Sequence, residues 1–167
     1  MNAKYSSIVG ITQDELEYNF KDYLSEASKQ LNLTKKQLLD KLKLWYNGYN
    51  FDKNLNNSVY NLWSLLQFFE TYEFQNYWFS TGTPTFLINK IKKHNFDLTK
   101  LNNLNVSSRV FEVSEIEQVS IVSLLYQTGY LTIKGYEDED SLYNLDFPNY
   151  EVRSSFLDSL LPQYTYL

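Results

Sequence analysis

The 167 residues hold few of the groups with which proteins do chemistry. Cysteine is absent, so disulfides and thiolate chemistry are excluded, and with a single histidine a zinc site is excluded as well. That histidine, His94, follows Lys90, Lys92 and Lys93, and a cation in the last turn of a helix already has a structural reason in the helix dipole. A phosphate cradle needs clustered glycines, whose backbone N–H groups can close around the anion. Here Gly10, Gly48, Gly82, Gly129 and Gly135 are isolated, and no strand ends in paired acids. The acidic run Glu137-Asp138-Glu139-Asp140 lacks the alternating spacing and distant glutamate that converge on calcium, and reads as a solvated hairpin tip. Asp146, Glu151 and Arg153 echo the acid-then-E-x-K pattern of metal-dependent nucleases. Pro148-Asn149 intervenes, however, placing Glu151 on a helix, and arginine stands where lysine is needed to hold a metal and its water. The chain is therefore expected to be non-enzymatic, with no catalytic residue, no metal and no cofactor of its own.

The most unusual stretch is Trp45-Tyr46-Asn47-Gly48-Tyr49-Asn50-Phe51. With Lys41, Lys43 and Lys53 beside it, it could stack nucleobases. The competing and favoured account is a helix C-terminus whose rings pack inward and fix the following turn.

The elements around these residues can be read from periodicity and caps. Thr12-Gln13-Asp14-Glu15 and Thr34-Lys35-Lys36-Gln37 are capping boxes. The first opens a helix with Leu16, Phe20, Tyr23, Leu24, Ala27 and Leu31 on one face. The second opens a helix burying Leu38, Leu42, Trp45 and Tyr46 and ending at Gly48. After an ordered Asn-rich turn over 50–60, a third helix over 62–71 is expected to face Leu62, Leu65, Leu66 and Phe69 inward. Thr83-Pro84 supplies an N-cap and first-turn proline for a helix carrying Phe86, Leu87, Ile88 and Ile91. Residues 95–108 read as a connection. Beyond it come a short strand at Arg109–Val113, a helix opened by the box Ser114-Glu115-Ile116-Glu117 and ended by Gly129, and a hairpin from 130–136 and 141–147. A last helix capped by Pro148-Asn149 runs through Val152, Phe156, Leu157 and Leu160. The fold class is mainly α with a small β component: a helical bundle over 1–105, then a winged-helix-like module with one hairpin over 106–167.

Hydrophobic residues at 43% and charged residues at 21% are ordinary for a globular protein, whereas 17% aromatic residues imply a core of large flat side chains. Net charge is −5, with residues 106–167 carrying three basic residues against ten acidic ones. So acidic a segment is a poor partner for phosphate backbones, which disfavours nucleic acid. No apolar run reaches the roughly 20 residues of a membrane span, and the first residues lack a signal-peptide core, so no membrane partner and a cytoplasmic location are expected.

In order along the chain, several stretches are similar to one family, the AAA-ATPase-like proteins commonly fused to a PD-(D/E)xK nuclease-like domain. Tyr5–Glu15 resembles the segment after the family's ATPase core. Lys43–Phe51 resembles its W-Y-N-G-Y-x-F signature through Trp45, Tyr46, Asn47, Gly48, Tyr49 and Phe51. Val59–Leu66 resembles the stretch that follows, with Leu62 and Trp63 where proline and an apolar residue are usual. Tyr77–Ile88, with Tyr77, Trp78, Thr81, Gly82, Thr83 and Pro84, is a close match. So is Phe147–Phe156, with Pro148, Asn149, Glu151 and Arg153. The resemblance implies a lid and a winged-helix-like part, and no residue here matches the family's Walker or nuclease positions. It implies as partners an upstream ATPase core and a downstream nuclease-like domain, with ATP binding confined to the parent protein. Two other functions compete: a winged-helix nucleic-acid binder, and a protein-interaction module whose exposed rings self-associate. Against the former, residues 115–128 contain no lysine or arginine.

Overall fold

The computed structural model describes residues 9–55, 57–80, 85–101, 104–112 and 120–164. The protein is mainly helical with a small antiparallel sheet. Helices α1 (Gln13–Asn19), α2 (Lys21–Gln30), α3 (Lys35–Tyr46), α4 (Leu62–Thr71) and α5 (Tyr77–Ser80) come first, then α6 (Thr85–Lys93). Strand β1 (Leu104–Val106), α7 (Ile121–Gln127), the hairpin β2 (Thr132–Glu137) and β3 (Leu142–Asp146), and α8 (Tyr150–Tyr164) complete it.

Local chemistry sets several helix ends. Both N-terminal capping boxes form: Thr12 N donates to Glu15 Oε2 at 2.9 Å, and Thr34 N donates to Gln37 Oε1 at 2.9 Å. The N-cap hydroxyls accept in return from Glu15 N and Gln37 N, satisfying donors the first turn leaves orphaned. Asn61 caps α4 by accepting from Ser64 N, and Asn149 caps α8 by accepting from Val152 N. Gly129, at φ +83°, follows the end of α7.

Several elements differ from the sequence expectation. The helix expected from 12 to 31 breaks at Phe20 (φ −111°, ψ 21°). The break sets the Phe20 ring against Phe69 at 5.3 Å, while Leu16, Leu24 and Ala27 reach the same core. Helix α4 presents a rotated face: Ser64, Leu65, Phe68 and Phe69 are buried, whereas Leu62 and Leu66 are exposed. Phe86 and Leu157 are also exposed on their helices. The strand expected at Arg109–Val113 is a 3₁₀ turn over Ser108–Phe111. The strand is instead β1, inside the stretch read as a connection, and the 105/106 boundary falls within it. It exists because Leu104 and Val106 pair with Leu145 and Tyr143 of β3. Helix α7 starts at Ile121, where Ser120 is extended and its hydroxyl accepts from Ser123 N; the part of the expected helix before Ser120 lies outside the described residues. The box Ser114–Glu117 lies outside the described residues, as do Tyr5–Ile8 and Thr81, Gly82, Thr83 and Pro84.

The sheet order is β1-β3-β2. Between Ile133↔Leu145 and Gly135↔Asn144 the register shifts, so Lys134 is an extra, bulged residue. The buried side chains form two clusters. One unites Leu16, Leu24, Leu38, Leu42, Tyr46, Leu65 and Phe68 of the N-terminal helices with Tyr60, just before α4. The other unites Leu87, Ile88, Ile91 and Leu101 with α7, the hairpin and α8.

Candidate functional site

The signature residues meet where α3 ends, α5 lies and α8 begins. Tyr46 closes α3, stacks on Phe74 at 6.0 Å and 8°, and lies 6.3 Å from Tyr77. Its hydroxyl donates to Gln75 O and accepts from Gln75 N, both at 3.1 Å, and burial pushes its pKa well up. Trp45 packs on Phe74 at 5.7 Å and on Tyr150 of α8 at 4.7 Å. Of the lysines beside it, Lys41 lies over the Phe74 ring and Lys53 over Tyr136, at 4.3 and 4.9 Å. The rings at the end of α3 are therefore engaged within the protein.

At Gly48 two distant stretches of chain cross closely. At φ +107° this glycine adopts a backbone that L side chains rarely take, and a Cβ there would collide with the Pro148 carbonyl. The bulged Lys134 seals this contact, its ammonium donating to Pro148 O at 2.8 Å and Gly48 O at 3.2 Å. Burial lowers the Lys134 pKa, and the nearby Asp146 raises it in part. Next along the chain, Asn50 N donates to Thr132 Oγ1 at 2.8 Å, and that hydroxyl donates back to Asn50 O at 2.9 Å. Asn50 Nδ2 donates to Ile133 O at 3.1 Å. Thus the turn after α3 is sewn to β2 by polar groups that are themselves buried.

Glu151, in the first turn of α8, has no exposed surface. Ser64 Oγ of α4 donates to both its carboxylate oxygens, at 3.0 and 2.8 Å, and Trp78 N of α5 donates to Oε1 at 2.7 Å. Burial raises its pKa to about 7, while the Trp78 N–H, the Ser64 hydroxyl and the Tyr77 N–H pull it back. One carboxyl thereby fastens α8 to α4 and α5. Trp78 also packs edge-on against Tyr130 at 5.1 Å.

Most of the described signature residues thus fall into three places. Trp45, Tyr46 and Tyr77 belong to the aromatic array. Asn47, Gly48, Pro148 and Asn149 form the close crossing, and Trp78 and Glu151 form the carboxyl clasp. Tyr49 and Phe51 line a cleft of about 500 Å³ with Trp63, Trp78 and Gly129. Arg153 is exposed and lines a second cavity with Lys43 and Lys134. The nuclease-like triplet does not gather: Glu151 is committed to Ser64 and Trp78, while Asp146 Oδ1 accepts from Phe147 N. No group of three His, Cys, Asp or Glu residues able to hold a metal occurs among the described residues. Sequence reasoning missed Ser64, Thr132 and Lys134. The available signals were a lone serine in the apolar run Leu62–Phe69 and a lone lysine in a hairpin strand.

What these features define directly is a mainly helical protein whose sheet and last helix are locked to the N-terminal helices through one polar joint. Over 166 residues the chain is 31% identical to an uncharacterized protein from the vnfD 5′ region of Azotobacter chroococcum mcd 1. The match covers 98% of this chain and 30% of that protein, so the chain spans under a third of its relative's length. No family model and no solved structure matches the chain. Among the described residues, no helix is long and apolar enough to cross a membrane.

Proposed function

We propose that the chain is the non-catalytic lid and coupling portion of an AAA-ATPase-like protein, working between an ATPase core and a further domain of a longer polypeptide. The observation that carries this reading is the joint itself. Residues from the motif after α3, from α5 and from the start of α8 resemble the family's signatures, and they converge to tie the helices to the hairpin. A part that relays the state of a neighbour must move as one body, and a buried carboxyl holding three helices provides that stiffness. The match to under a third of a longer protein supports it as well. In this proposal residues 1–105 are the lid and 106–167 the winged-helix-like part, located in the cytoplasm.

The test is phosphate release from magnesium-ATP by the purified chain. No turnover above buffer is expected, because the chain has no loop of clustered glycines with a lysine; turnover that follows the protein through purification sinks the proposal. Duplex DNA is expected not to bind at moderate salt, since α7 (I-V-S-L-L-Y-Q) offers no cation to phosphate or base edges. A salt-dependent mobility shift would move the assignment to a winged-helix nucleic-acid binder. The exposed Leu62, Trp63 and Leu66 suit burial against other parts of the longer protein, and in isolation they favour self-association, measurable by light scattering against concentration.

A further inference from the structure

Gly48 is the one glycine of five that follows an asparagine. That pairing carries a chemistry of its own. Once solvent base removes the Gly48 amide proton, the backbone nitrogen can attack Cγ of Asn47. The new C–N bond closes a five-membered imide, the bond from Cγ to Nδ2 breaks, and ammonia leaves with the proton. Water then opens the imide at either carbonyl, giving aspartate or, with a methylene carried into the main chain, isoaspartate. Glycine favours the step because no Cβ shields its nitrogen.

The fold opposes it. Ring closure needs the Gly48 nitrogen eclipsed with Cβ of Asn47, but ψ of Asn47 is −178°, which leaves the two staggered. Turning ψ would swing Gly48 out of the crossing, where the Lys134 ammonium holds its carbonyl at 3.2 Å and Pro148 O lies against its Cα. The Asn47 side chain is held too. Its Oδ1 accepts from Gly48 N at 2.5 Å, and its amide hydrogen-bonds the Tyr60 hydroxyl, which donates to Gln13 Oε1 at 2.6 Å. Asn47 is 2% exposed and Tyr60 fully buried. The reacting atoms are therefore adjacent but misaligned, and a near-attack geometry needs both distance and alignment. Water for the second step is at hand, because Asn47 and Gly48 line a cavity of about 470 Å³.

We propose that Asn47 is a modification site gated by the joint: it converts to aspartate and isoaspartate only when the crossing of Gly48 and Pro148 opens, and the isoaspartyl form keeps the crossing from closing again. The second part follows from geometry. An added backbone methylene displaces Gly48 from Lys134, and a carboxylate has no proton to offer Tyr60. Each opening thus carries a chance of becoming permanent, and the fraction converted records how often the joint has parted. The proposal concerns the joint alone and does not depend on the coupling role.

The test is mass spectrometry of the peptide spanning Asn47 while the full chain ages in mildly alkaline buffer. It reads the mass gained from amide to acid, with an isoaspartyl methyltransferase reporting the altered linkage. The folded chain should convert at least about a hundredfold more slowly than the chain in urea, as a segment protected by structure does. Lys134→Met, which removes the pin, should speed conversion of the folded chain about tenfold, as losing one charge-assisted contact implies. Thr34→Ala, which weakens a helix start away from the crossing, should leave the rate unchanged. In aged chain purified in the isoaspartyl form, the Asn50 amide, normally bonded to Thr132 Oγ1, should exchange faster than in fresh chain, while the α1 and α2 amides keep their protection. Equal rates in the folded and urea-unfolded chain would overturn the gate. So would a Lys134→Met rate no faster than that of Thr34→Ala, since conversion would then not pass through the crossing. An aged chain whose Asn50 amide stays protected would overturn the latch. Should Lys134→Met not fold, the comparison with urea and the exchange of the aged chain still decide between these outcomes. ATP turnover bears on none of them, so failure here and failure of the coupling reading are separable.

Discussion

The N-terminal helices and the sheet-bearing half are built by different means. The first cluster joins its leucines to a run of ring contacts, with Phe20 on Phe69, Tyr46 on Phe74 and Phe68 at 4.6 Å from Phe74. Its first and third helices start from caps whose two partners lie three residues apart. The second cluster is mostly aliphatic around Leu125, Ile133, Leu145 and Val152, and its sheet depends on partners far along the chain. Two helix starts of the first half are therefore set by neighbours in sequence, whereas β1 of the second is set by neighbours in space. Where they meet, packing gives way to buried hydrogen bonds: Thr132 to Asn50, Lys134 to Gly48 and Pro148, and Ser64 to Glu151. Such bonds demand geometry as well as proximity, so the joint is the part of the molecule least tolerant of change.

The sharpest way to break the contrast is Gly48→Ala. The added methyl meets backbone on the opposite strand of the crossing and a φ that alanine resists, so the halves must part or shift. A loss above about 4 kcal/mol is expected in urea unfolding, the size reserved for a substitution the fold cannot absorb. A loss under about 1 kcal/mol, no more than an ordinary substitution causes, would show that the crossing yields.

Glu151 gives the next largest effect, and its sign can be worked out. Its pKa in the folded protein is about 7, above the 4.5 of the free side chain. The folded state thus keeps a proton that the unfolded chain releases, and stability falls as pH rises from about 4.5 to about 7. The fall is at most about 3 kcal/mol from this group. Glu151→Gln should flatten that part of the stability–pH curve; an unchanged slope would assign it to other carboxyls. Ser64→Ala should cost about 1–3 kcal/mol by removing a donor from a buried carboxyl. Its effect should be non-additive with Glu151→Gln, as a double-mutant cycle would show. The smallest effect is expected at a locally set helix start. Thr34→Ala should cost about 1 kcal/mol, the ordinary worth of an N-cap, and leave hydrogen exchange in the hairpin unchanged relative to global unfolding.

What could be read from the sequence cuts across the two halves and follows instead the distance between partners. Thr12 with Glu15 and Thr34 with Gln37 announce their helices because cap and partner share one turn. The hairpin strands and the Asn149 cap are also local, and they form where expected. The break at Phe20 was hidden, since it answers to Phe69 some fifty residues on. Strand β1 was hidden because three residues carry no alternation worth the name, and their extended state is owed to β3. The face of α4 was misjudged for a related reason. Periodicity ranks Leu62 and Leu66 above Ser64, yet Ser64 is inward because Glu151 is waiting for it 87 residues away. The motif residues were legible as a group, but their meeting at one joint was not, because no local rule places Gly48 beneath Pro148. The family likeness marked which residues to follow; the hydrogen bonds show what they hold.

The irregular step in β2 has a cost and a use. Were the hairpin one residue shorter at position 134, its two strands would pair without interruption and the sheet would be more regular. The ammonium that pins two distant carbonyls would then be lost, and the crossing would rest on contact alone. A designer seeking an ideal ladder would delete the very residue that fastens the sheet to the rest of the protein.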